Sequence, residues 1–178
     1  ASSGLPFQKI IFSSRDNIAL AGWHACKHDA LGTIIFSHGV WANHLEMESR
    51  AKEMWERGFS VFLFDYRACG ESEGTTTTLG AKEIYDLLGA VDYLIAHNRS
   101  ITIGVWGNSM GGAVAIMAAE CCPQINAIVS DSAFAALADN VTHGFHSATG
   151  LPARPFRGLV IRLAQMMSGT KISSIRPV

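Results

Sequence analysis

The chain has 178 residues, 48% of them apolar, with a formal net charge of −1 and a mean hydropathy of +0.20. That length is one domain's worth, and the apolar share is enough to build a core. Near-neutral charge without a basic run argues against nucleic acid or an anionic membrane as partner, and no apolar stretch has the length of a membrane span. The first residues, Ala1-Ser2-Ser3-Gly4-Leu5-Pro6, lack the charged and apolar regions of a signal peptide. Cys26, Cys69, Cys121 and Cys122 form neither a disulfide framework nor a metal knuckle. Their spacing fits a reducing compartment, the cytoplasm, with Cys121 and Cys122 expected to be buried at a helix end.

In chain order, Gln8 to Ser13 and Ile18 to Ala25 are β-rich runs separated by Arg15-Asp16-Asn17, a hairpin pattern. Thr33 to Phe36 is a short apolar run, as in a strand covered on both faces. Between Leu45 and Arg57, the residues Met47, Ala51, Met54 and Trp55 share one helical face, and Gly58 follows as a stop. Val61 to Phe64 is the next buried strand. After the polar Thr75 to Gly80, a long amphipathic helix carries Ile84, Leu87, Leu88, Val91, Leu94 and Ile95. Ile101 to Trp106 is a strand, Met110 to Glu120 a helix rich in Gly and Ala, and Ala127 to Val129 another strand. Ala135 to Phe145 and Arg157 to Met167 read as two further helices. A hairpin followed by strand–helix units predicts an α/β fold, a mostly parallel sheet with helices on both faces. Residues 1–134 make the core, and 135–178 two helices and a tail.

Gly107-Asn108-Ser109-Met110-Gly111 falls between a predicted strand and a predicted helix. In so tight a turn, side chains flanking the serine clash, and glycines at 107 and 111 relieve the clash and leave Ser109 exposed above the sheet. The start of the following helix favours developing negative charge. Ser37-His38-Gly39-Val40 follows the third strand. The amides of Met110 and Val40 are the candidate oxyanion donors. His38, Gly39, Trp41 and Asn108 are candidates for the pocket wall, with His38 shaping the loop rather than acting as base.

With Phe64-Asp65-Tyr66-Arg67-Ala68-Cys69-Gly70-Glu71-Ser72 after the fourth strand, the three motifs together resemble the α/β-hydrolase superfamily, in its esterase- or peptidase-like serine hydrolase branch. The resemblance covers about residues 8 to 178. It implies a Ser–acid–His triad, hydrolysis of esters or amides through an acyl-enzyme, no cofactor, and a loop-bracing role for Asp65 and Arg67. In that superfamily the acid usually follows a strand later than the one ending near Asp131, and the histidine follows the last strand. Both positions are expected beyond Val178, so the domain is expected to lack its last strands and to pair as a homodimer through its sheet edge or C-terminal helices.

Three function readings follow. In the first, Ser109 hydrolyses small carboxylic esters with an incomplete or improvised triad, drawing on Asp131 and on His143 or His146, which keep the chain order Ser, acid, His. The competing reading of Asp131, and the one its sequence context favours, is the cap of a helix beginning at Ser132-Ala133. The second is a zinc-dependent hydrolase, possible for phosphoesters: Asp139, His143 and His146 are spaced i, i+4 and i+7, the spacing of one helix face. His24, Cys26 and His28 form a poorer cluster of the same kind. The third is an inactive fragment or a dimerising scaffold.

Overall fold

Asp16 and Asn17 reverse the chain between the first two strands, and Asn17 takes the left-handed φ of 65° that asparagine tolerates in turns. Strand β1 (Gln8–Ser13) pairs antiparallel with β2 (Ala19–Ala25), from Gln8 opposite His24 to Ser13 opposite Ala19. The computed structural model describes residues 4–97 and 102–138, and then 142, 145, 146, 149, 150, 158, 159, 161–163, 165, 166, 169, 175 and 177.

The remaining strands are β3 (Thr33–Ser37), β4 (Ser60–Phe64), β5 (Ile103–Asn108) and β6 (Ile125–Asp131). The sheet order is β1-β2-β4-β3-β5-β6, with the β1–β2 and β2–β4 pairs antiparallel and the β4–β3, β3–β5 and β5–β6 pairs parallel. Three helices connect the parallel strands: α1 (Glu48–Glu56), α2 (Glu83–His97) and α3 (Met110–Cys121). Alternate residues of the central strands feed two cores, one on each face of the sheet. Phe62 and Phe64 join Ile35, Leu87, Val91, Leu94, Val114 and Ala118 on the side of α2 and α3. Val61 and Leu63 join Phe36, Met47 and Ala51 on the side of α1. This is the mostly parallel α/β sheet with helices on both faces that the alternation predicts.

Three details differ. The helix expected from Leu45 begins as a 3-10 turn, His44–Met47, with Asn43 as its cap, and becomes α-helical only at Glu48. Cys121 is exposed on the last turn of α3 while Cys122 is buried, since adjacent residues on a helix point about 100° apart. No helix starts at Ser132: β6 runs through Asp131, and Ser132 takes a φ of 56°. Of the helix expected over 135–145, Leu137, Ala138, Thr142 and Phe145 are helical, Ala135 and Ala136 are not, and 139–141, 143 and 144 lie outside the described residues.

Candidate active site

Ser109 joins β5 to α3 with φ 51° and ψ −113°, a conformation that costs a non-glycine residue energy. It is held there from several sides. The Ser109 N–H donates to the Asp131 carbonyl at 2.8 Å, across the β5–β6 pairing. A Cβ on Gly107 would lie 2.3 Å from the Gly111 carbonyl oxygen, and one on Gly111 would lie 2.2 Å from that of Ser37. Neither contact is possible for a real side chain, so the two glycines let the turn close and let α3 press onto β3.

The loop after β3 is the second wall. Ser37 Oγ hydrogen-bonds the Tyr66 hydroxyl and donates to the Gly111 carbonyl at 3.2 Å. His38 is fully buried. The Tyr66 N–H donates to its Nε2 at 3.0 Å, so Nε2 is unprotonated and Nδ1–H donates to the Gly39 carbonyl at 2.7 Å. Burial pushes its pKa down, which keeps it neutral. Both ring nitrogens are thus spent on backbone, and His38 does not line the pocket as expected but ties the β3 loop to the end of β4. Gly39 faces the serine: a Cβ there would sit 3.6 Å from Ser109 Cβ. Val40 follows, half-buried against the core, and Trp41 is 81% exposed with φ 58°. Met110 is buried at the start of α3, and Asn108 is half-buried opposite Asp131.

Asp131 lies beside the elbow at the end of β6. Its Oδ2 accepts from Arg50 of α1 at 3.0 Å and its Oδ1 from Ser132 Oγ at 2.9 Å. Arg50 is 81 residues away in sequence, a contact that no local pattern reveals. His146 is exposed at a helical position, while Asp139 and His143 lie outside the described residues. Among the described residues no group of three His, Cys, Asp or Glu side chains is arranged to hold a metal ion. His28 is exposed and bonded to Asp29, and it does not line the cavity that His24 and Cys26 share.

Two residues near the elbow escaped the motif reading. His44 and Glu46 occupy the 3-10 turn, where side chains follow no helical period. Buried Asp65 accepts from the His44 ring Nδ1 at 2.8 Å and from the amides of His44 and Glu71 at 2.7 and 2.8 Å. Burial works against its ionisation, but these donors hold its carboxyl below the usual range. The Gly39 N–H donates to Glu46 Oε2 at 2.6 Å. Arg67 spans the loop after β4, donating to Asp86 of α2 at 2.6 Å and to Asp16 of the hairpin turn at 2.6 and 2.8 Å. A cavity of about 340 Å³, lined by His24, Cys26, Thr33, Ser60 and His97, opens at the opposite end of the parallel strands from Ser109.

A six-stranded sheet in this order, with a strained serine between β5 and α3, defines an α/β-hydrolase core. The family model for the serine aminopeptidases of group S33 (Hydrolase_4) matches residues 28–175, and the chain belongs to that family. It is 28% identical over 162 residues to YqkD of Bacillus subtilis, covering 89% of this chain and 53% of that protein. It is 30% identical over 141 residues to YfhR of Escherichia coli O157:H7, covering 74% of this chain and 49% of the relative. The chain therefore spans about half the length of the curated relatives it matches. Among solved structures it is similar to the Pyrococcus furiosus esterase Pf2001, with a TM-score of 0.80, 29% identity, and coverage of 98% of this chain and 66% of that one. Among the described residues no helix is long and apolar enough to cross a membrane.

Proposed function

We propose that Ser109 is the nucleophile of a serine hydrolase acting on small carboxylic esters. The observation that carries this reading is the strained φ of 51° at Ser109, held between Gly107 and Gly111 with Gly39 facing its Cβ. A fold does not hold a serine in that conformation for stability. Attack by Ser109 Oγ on an ester carbonyl forms a tetrahedral oxyanion. The amides of Val40 and Met110 stabilise it, and its collapse releases the alcohol and leaves an acyl-enzyme for water to cleave. The likeness to the Pyrococcus furiosus esterase Pf2001 supports the ester as substrate class. Serine needs a base, and His143 and His146 are the candidates within this chain, with Asp131 as the acid beside the elbow.

Hydrolysis of p-nitrophenyl acetate tests the reading. Ser109→Ala is expected to lower kcat by about a thousandfold or more, while chelation of metals leaves the rate unchanged. Loss of activity on chelation, with Ser109→Ala fully active, would overturn the serine mechanism.

A further inference from the structure

The 3-10 turn before α1 is fastened at its start. Asn43 Oδ1 accepts from the Leu45 N–H at 3.0 Å, and the backbone and ring of His44 are both bound to Asp65. That anchoring aims Glu46 at the loop beside the serine. Its Oε2 takes the Gly39 N–H at 2.6 Å. A Cβ built on Gly39 would lie 3.4 and 3.5 Å from the two carboxylate oxygens of Glu46 and 3.6 Å from Ser109 Cβ. The carboxylate and the serine thus flank the same Gly39 position, each within contact distance of where a side chain there would begin. Arg50 of α1 is paired with Asp131, whereas the donor that Glu46 meets, the Gly39 N–H, is neutral.

We infer that Glu46 is a specificity-determining residue, which sets the charge preference of the site for the acyl group. This inference rests on Ser109 being the nucleophile. Glu46 is exposed beside the serine, and a negative charge held there by the Gly39 amide attracts a cationic acyl chain and repels an anionic one. Because the carboxylate occupies the Gly39 amide, it also leaves Val40 as the free amide of the loop for the developing oxyanion.

The test is kcat/KM on three p-nitrophenyl esters: 4-(trimethylammonio)butyrate, its carbon isostere 5,5-dimethylhexanoate, and the half-ester of adipate, ionised at neutral pH. The protein is expected to prefer them in the order cationic, neutral, anionic, with about tenfold between the ends. E46Q keeps an oxygen for the Gly39 amide and removes the charge, so the spread should fall below about twofold. E46D keeps the charge and should keep the order. E53Q alters an exposed carboxylate of α1 that pairs with Arg57, and it should keep the order too. A wild-type protein with no charge order, or an E46Q protein with the order intact, would overturn the inference. Ser109→Ala on the neutral ester separates the two levels: if it stays active, the nucleophile assignment fails and takes Glu46 with it. If it is inactive and E46Q keeps the order, only the role of Glu46 fails.

Discussion

Ser109 stores strain for its position, and that strain can be measured. A residue with φ 51° and ψ −113° costs about 1–3 kcal/mol unless it is glycine. Ser109→Gly is therefore expected to be more stable than Ser109→Ala by about 1 kcal/mol in urea unfolding, with both variants inactive on esters. Equal stability would mean that the turn is not strained by its side chain. Much of this residue-level picture is legible in the sequence, because the sterics of a strand–turn–helix junction are local: Gly107, Ser109 and Gly111 lie within five positions of one another. His38 is legible only in part. Its place after β3 marks the loop, but the Tyr66 amide that consumes its Nε2 comes from another strand. Glu46 and Arg50 are not legible at all, since their contacts with Gly39 and Asp131 exist only after the sheet has formed.

Between elements, Arg67 is the main polar tie, joining the loop after β4 to α2 through Asp86 and to the β1–β2 turn through Asp16. The hydrogen bonds from Arg67 hold the Asp16 carboxyl at about 2. A carboxyl with a depressed folded pKa adds stability above its unfolded pKa and loses it as pH falls through the folded value. Asp16 is a third exposed, so solvent screening reduces the effect. Asp16→Asn is expected to cost about 1 kcal/mol at pH 7, with the difference from wild type shrinking as pH falls from about 4 to about 2. A penalty that is constant over that range would mean the Arg67 contact contributes no charge-dependent stability. The order of elements is readable from hydrophobic period, because buried strands such as Val61–Phe64 and the face of α2 repeat regularly. The 3-10 turn is not readable, because four residues give no period to detect.

At the scale of the molecule, β6 is the described strand with the most open surface. Ile128 is 36% exposed, Val129 is 48% exposed, and β5 is its partner in the sheet. An apolar strand of that kind is a template for pairing. Prepared alone, this 178-residue chain is expected to self-associate, and Val129→Lys to weaken that association, both measured by light scattering on gel filtration. A wild-type monomer would count against an edge-driven contact. The sheet order has a consequence of another kind, for the chain as it leaves the ribosome. β2 and β3 are consecutive in synthesis but are never neighbours, because β4 lies between them and pairs with both. The hairpin of β1 and β2 must therefore wait, unattached to the sheet, until Phe64 has been made, and the Tyr66 amide that His38 needs emerges only two residues later. Even then one face of these strands stays uncovered, because Ile35, Phe62 and Phe64 pack against Val114 and Ala118 of α3, which follow Ser109 in the chain, so the elbow and its scaffold close together.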